Sequence, residues 1–360
     1  MAARWPVVAP LAAIAVVAAA FLLPLGALLV WLAVPALVAA VIAAVHHAEV
    51  VAHRVGEPFG TLILALAVTV IEVALLLSMM LAGGAEAAAL PRDTIFAAIM
   101  IIGNGAMGLC VVVGGIRHRE QTFRLEGATS GFAALVALAT LTLVLPTFTT
   151  SAPGPFYTPV QLAFAGVASL VLWGVFVFVQ TVRHREYFLA PAGADGDGDE
   201  AAHAPPPTNA EAWTSFALLL VALVAVIALA KVLSPALERG VAAAGAPQAM
   251  IGIVIAMLVL APETWAAVRA ARADRLQTSL NLALGSALAS IGLTIPVVAL
   301  ASVLLDMPLQ LGLDSGKDLV LLVLTFVVGT ITLGTGRTNV LQGAVHLVIF
   351  AAFLVLAFAP

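Results

Sequence analysis

From residue 60 the chain reads GTLILALAVTVIEVALLLSMMLAG, 24 residues that carry a single charge, Glu72. A run of more than ~18 apolar residues is long enough to cross the hydrocarbon of a bilayer. Inside hydrocarbon no water is present to pair with backbone N–H and C=O groups, so such a run folds as a helix that pairs them internally. Runs of this kind recur along the chain, which is 63% hydrophobic and only 9% charged. A soluble domain carries roughly 25% charged residues. The fold class that follows is an all-α integral membrane protein, with the lipid bilayer as its main surroundings.

Eleven spans are predicted, near residues 6–23, 26–45, 60–82, 94–115, 128–146, 159–182, 213–233, 247–268, 277–305, 318–334 and 339–358. The first apolar run exceeds the usual ~7–15 residues of a secretory signal, and a second span follows at once, so a retained helix is expected there. Charge tests the count, because Lys and Arg collect in cytoplasmic loops. With the N-terminus on side one, that side holds Arg4, Arg54, Arg117, Arg119, Arg124, Arg183, Arg185, Arg269, Arg272, Arg275 and Arg337. Side two holds only Arg92, Lys231, Arg239 and Lys317. One span more or fewer near the start would scramble this bias. The N-terminus is therefore expected in the cytoplasm and the C-terminus outside.

The longest hydrophilic stretch, 184–212, places Asp195, Asp197, Asp199 and Glu200 among Gly, Ala and Pro, a composition that buries too little apolar surface to fold. Its D-x-D-x-D spacing is not an EF-hand loop, because Pro206 stands where the twelfth-position Glu is needed. It reads as an acidic, flexible cytoplasmic linker between two five-span repeats, 26–183 and 213–360, with 1–25 as an extra N-terminal helix. An odd number of spans per repeat inserts the second upside down relative to the first, the arrangement of many transporters.

The repeats share a pattern. Glu72 is the one charge inside its span, and Glu263 is the one charge in IGIVIAMLVLAPETWAAV. A carboxylate at a helix centre costs roughly 2.5–3.5 kcal/mol on insertion scales, so two in matched places point to function. The span after each is rich in small and polar residues, with Gly103-Asn104 in one and Gly285-Ser286 in the other. Pro262 lacks an N–H and is expected to break the helix beside Glu263. Thr69 shares a helix face with Glu72, and Asn281 adds an amide to the second repeat. Carboxylate, hydroxyl, amide and carbonyl oxygens together suit a hard cation such as Ca²⁺ or an alkali ion. One Ca²⁺ or two protons can neutralise the two carboxylates, and not both at once, so cation and proton compete for the same oxygens.

These stretches also carry a resemblance. Gly60-Thr61-Leu62 through Glu72 is similar to the first signature of the cation/calcium antiporter superfamily, in its bacterial ChaA-type proton antiporters. Glu263 through SLNLALGS (279–286) to Pro296 is similar to the second, and GRTNVLQGA before the last span recurs in related antiporters. The resemblance implies ten core helices in two inverted halves plus one N-terminal helix, exchange of Ca²⁺, Na⁺ or K⁺ for protons, and the bacterial inner (plasma) membrane. It implies Glu72 and Glu263 as cation and proton ligands, Asn104 and Ser286 as lining, and Gly103 and Gly285 as points of close backbone approach. No cofactor is implied beyond the transported ions. One departure matters. Calcium exchangers of the superfamily carry Gly-Asn shortly before each Glu, and here those positions are Val68-Thr69 and Val259-Leu260. Two amide oxygens are lost and one hydroxyl gained, which sets a monovalent cation beside Ca²⁺ as substrate.

Other features fit blander roles. His46, Glu49 and His53 share a helix face that suits a polar cap at the headgroups better than a metal site. Gln121, Glu126 and Glu57 read as solvated loop residues, and His346 as a hydrogen-bonded core histidine rather than a proton relay. The EGA (126–128) and QGA (342–344) triplets precede non-equivalent spans and carry no weight. An intramembrane acid protease would want paired acids sharing a proton, usually Asp, yet every Asp lies at a span edge or in a loop. A passive cation channel would want rings of carbonyls or charges contributed by several subunits. Nothing in the −4 net charge suggests a nucleic-acid partner, and the lone Cys110 excludes an internal disulfide. Alkaline phosphatase fused after residue 358 is expected to be active in intact bacterial cells, and a green fluorescent reporter there to stay dark; the opposite pattern would invert the topology.

Overall fold

The computed structural model describes residues 5–23, 28–56, 59–189, 207–247 and 249–359, so most of the acidic linker and Glu57 lie outside the described residues. Eleven helical rods occur among these residues. They are α1 (Trp5–Leu22), α2 (Leu28–Val55), α3 (Phe59–Gly83), α4 (Leu90–Met100) continued by α5 (Met107–His118), and α6 (Leu125–Ala139) continued by α7 (Leu145–Phe148). Then come α8 (Pro159–Phe178), α9 (Asn209–Ala243), α10 (Ala249–Arg272), α11 (Leu276–Leu304), α12 (Gly316–Leu333) and α13 (Val340–Phe358). Each rod overlaps one of the eleven predicted spans.

Packing divides the rods into two compact units, neither of them a contiguous half of the chain. One comprises residues 1–87 and 203–251, and the other 88–202 and 252–360. In the first, α2 packs on α9, α1 and α3. The extra helix α1 is tied in by the His47 ring, whose Nε2 lies 2.9 Å from the Pro6 carbonyl. The His46 ring lies tilted against Trp5 and edge-on to His47, so this face serves helix packing.

The second unit is built around α4–α5 and α11. The α4–α5 rod widens into a π-helical turn at Ile101–Ala106, where the i→i−4 ladder gives way to i→i−5 bonds. A second widened turn, Thr140–Val144, joins α6 to α7. Carbonyls near it are taken up from outside the helix: the Tyr157 hydroxyl donates to Leu141 O at 2.6 Å, and Leu313 N–H to Leu143 O at 2.8 Å. Burial pushes the Tyr157 phenol up to about 12, so it remains a donor.

Loop contacts in this unit agree with the eleven-span count. Strands β1 (Glu120–Thr122) and β2 (Arg337–Asn339) pair antiparallel, with Gln121 opposite Thr338. Gln121 Nε2 also donates to Ala271 O and to Asp274, and Arg124 Nε to Leu189 O. At the other end of the rods Gly312 N–H donates to Pro155 O, Gln310 N–H to Ala88 O, and Arg92 pairs with Asp314 at 3.1 Å. Every one of these pairs joins loops separated by an even number of spans. The ladder also brings together the segments just before the EGA and QGA triplets, a match that sequence reasoning discarded.

Close helix contact here depends on small residues. A Cβ on Gly343 of α13 would lie 2.7 Å from Val112 N of α5, whereas one on Gly174 of α8 meets nothing within 4 Å. Gly343→Leu should lower the thermal unfolding midpoint in detergent, an overpacking cost of about 1–3 kcal/mol or more. Gly174→Leu should leave the midpoint unchanged.

Candidate functional site

Glu263 lies in the interior of α10, half-buried, on the helix face that also carries Leu260, Thr264 and Ala267. The i, i+3, i+4, i+7 spacing gathers these four on one stripe. Facing it are Ala283 and Ser286 of α11 and Ile102 and Ala106 of the π-helical turn. Together they line a small, partly open cleft with room for about one water-sized particle. Glu263, Thr264 and Ser286 are among its lining residues, but the surface turned into it is apolar. Ser286 Oγ–H donates to Glu263 Oε2. A hydrogen bond to a carboxylate is charge-assisted and stronger than one between neutral groups, and Glu263 takes part in further polar interactions.

Glu72 and Thr69 lie on α3 in the other compact unit, both on its buried face, with Glu72 only 3% exposed. Both take part in polar interactions. They share their face with Val68, Ile71, Leu75 and Leu76, so the carboxylate is set among aliphatic side chains.

The remaining predicted lining residues separate into two groups. Gly285 has open space at its Cβ position and lies beside Ser286. Asn104 and Asn281 are engaged elsewhere. Asn281 Nδ2 donates to Phe188 O at 2.6 Å, and its oxygen accepts from Gln277 Nε2 at 2.9 Å. That amide fastens the 3₁₀ turn Arg185–Phe188 near the start of α11. Asn104 is 0% exposed; its amide donates to Thr325 Oγ1 at 2.8 Å and its oxygen lies 3.1 Å from His346 Nδ1. Gly103 lets α12 approach, since a Cβ there would sit 3.3 Å from Thr325 Cγ2.

The helix break expected at Pro262 is corrected. Helix α10 runs from Ala249 to Arg272 with Pro262 inside it. Proline removes only its own N–H, so the Leu258 carbonyl loses one donor while the residues beyond continue the ladder. The interruption of the ladder lies instead in the facing rod, at Ile101–Ala106. Its Gly-Asn-Gly was visible in the sequence, but nothing in the residue pattern announces a π-helical turn. Thr264 could have been found from its place on the Glu263 stripe; Thr325 gave no signal at all.

Fold and site define an all-helical integral membrane protein with carboxylates set inside its spans. The chain belongs to the sodium/calcium exchanger protein family, whose profile matches residues 13–182 and 214–359. It is 53% identical to y4hA of Sinorhizobium fredii (strain NBRC 101917 / NGR234) over 327 residues, 90% of this chain and 87% of that one. It is 38% identical to the sodium-potassium/proton antiporter ChaA of Escherichia coli (strain K12) over 315 residues, 88% and 84% of the two chains. The structure of native YfkE superposes with a TM-score of 0.74 at 16% identity, covering 99% of this chain and 100% of that one, a likeness of fold.

Proposed function

We propose that the protein exchanges a cation for protons across the membrane, with Glu263 and Glu72 as the groups that both ions use. The observation that carries this reading is Glu263, a carboxylate within a span, held by the Ser286 hydroxyl beside a small cleft between α10, α11 and the π-helical turn. An ionised carboxylate there accepts from Ser286 and attracts a cation into the remaining space. A protonated one is neutral and releases the cation, so one site serves either ion in turn. An empty, charged carboxylate is strongly disfavoured in low dielectric, which couples the two fluxes. In this reading Ser286 bonds Glu263 directly, Thr69 shares the buried face of α3 with Glu72, and Gly103, Asn104, Asn281 and Gly285 shape the two rods that face α10.

Sodium or potassium is the favoured cation. The relative ChaA is named a sodium-potassium/proton antiporter, and the positions before each Glu carry Val68-Thr69 and Val259-Leu260 rather than amide donors of oxygen. With the N-terminus in the cytoplasm of a bacterial inner membrane, the proton gradient would drive the cation outward. Alternating access would come from one group of helices moving past the other about the site.

The purified protein in proteoliposomes with an interior pH dye tests this. Adding Na⁺ or K⁺ should move protons in the opposite direction, with Ca²⁺ as the comparison. Glu72→Gln and Glu263→Gln should each abolish the exchange. Ser286→Ala should retain it with KM raised about ten-fold, the loss of a hydrogen bond to a charged group. No proton movement with any of the three cations would end the exchanger reading, and cation flux without counter-moving protons would indicate a channel.

A further inference from the structure

Behind the wall of the Glu263 cavity lies a buried polar cluster centred on Asn104. It joins the π-helical turn to α12 and α13. Asn104 stands midway between Ile102 and Ala106, and therefore on the face of the turn opposite the cavity that those two residues line. There its amide meets Thr325, and its oxygen meets His346 Nδ1. The His346 ring, 0% exposed, has its Nε2 3.0 Å from Thr332 Oγ1.

Donors and acceptors can be matched around this cluster, with Met100 Sδ as a weak acceptor beside Asn104 and Thr325. The Asn104 amide donates to Thr325 Oγ1, and the Thr325 hydroxyl donates onward to Leu321 O at 2.7 Å. With the Asn104 oxygen turned to the ring, the matching form of His346 is the Nδ1–H tautomer. Nε2 is left as an acceptor, filled by the Thr332 hydroxyl. A neutral ring satisfies every partner.

The backbone around the cluster is crowded. A Cβ on Gly108 would lie 3.0 Å from His346 Cβ, and one on Gly105 would lie 3.3 Å from the Phe350 ring. Helix α13 is thus pressed against the turn, with His346 at the point of contact.

We propose that His346 is a positioning residue for the ion site: through Asn104 it holds the π-helical turn whose opposite face walls the Glu263 cavity. A π-helical turn is a strained alternative to the α-helix and persists where side chains specify it. Asn104 is the polar side chain of IIGNGA; its amide lies 3.9 Å from Met100 Sδ on the same rod, and its other two partners, Thr325 and His346, lie on α12 and α13. Loss of either partner frees the turn to relax toward α geometry, which rotates Ile102 and Ala106 relative to Glu263 and Ser286. The cavity then changes shape although no residue lining it has been altered. This inference rests on the Glu263 cavity being the cation site.

The test uses the full chain with His346→Gln, His346→Leu and the milder Thr325→Val. Cation binding is read as the shift of the unfolding midpoint with Na⁺, K⁺ or Ca²⁺ concentration, which needs no transport, and KM and kcat are read in proteoliposomes. Glutamine can donate to Asn104 and accept from Thr332, so His346→Gln should keep affinity and pH profile within about two-fold of the parent. His346→Leu should weaken apparent affinity and raise KM about ten-fold, and Thr325→Val about three-fold, with kcat changed less. Separately, ¹⁵N shifts of the His346 ring, assigned by their loss in His346→Gln, should report the neutral Nδ1–H form.

Unchanged affinity in both His346→Leu and Thr325→Val would overturn the proposal, as would an Nε2–H or doubly protonated ring. A His346→Gln variant as defective as His346→Leu, with a flattened pH profile, would make His346 a proton carrier instead. If the parent protein binds a cation yet exchanges none, the exchanger reading fails while the affinities of the variants still judge this one.

Discussion

Backbone polar groups in hydrocarbon have no water to turn to, and the rest of the structure follows from that. It forces every membrane-depth segment into a helix, and it makes each departure from the regular ladder conspicuous. Two of the departures in this chain are supplied with partners from outside their own helix. Tyr157 and the Leu313 N–H take carbonyls at the Thr140–Val144 turn. The Ile101–Ala106 turn is held from the side by Thr325 and His346 through Asn104. At Pro262 the loss is a single donor, and α10 absorbs it without ending.

The same scarcity of water shapes the two carboxylates. Each is expensive at membrane depth, and each is compensated in its own way. Glu263 is half-buried, receives the Ser286 hydroxyl and borders a cavity. Glu72 is nearly wholly buried on the aliphatic face of α3, with Thr69 one turn away. The two carboxylates therefore have unequal surroundings, although both stand among apolar side chains with a hydroxyl close by.

Much of the fold was legible before any coordinates. Each of the eleven rods overlaps a predicted span, because uninterrupted apolar length is a strong and local signal. The loop contacts of the second unit respect the parity that the arginine distribution demanded. The site was legible in part. Glu263 and Ser286 were singled out by a lone charge and a polar pair in apolar surroundings, and they bond directly. Asn281 and Asn104 were singled out by the same rule, yet their amides serve Phe188 O and the Thr325–His346 cluster. Residue type marks an oxygen as available; it does not say which way the side chain turns.

By itself the sequence determined the membrane setting, the number of spans, the membership of an exchanger family and the two carboxylates, because these depend on composition and on order along one helix. Tertiary structure decided what long-range packing alone can decide. It turned Asn104 toward α12 and α13, widened the α4–α5 rod at Ile101–Ala106, carried α10 through Pro262 and paired Glu120–Thr122 with Arg337–Asn339. Those outcomes depend on which helix faces which, and residues more than two hundred positions apart settle that only when they meet.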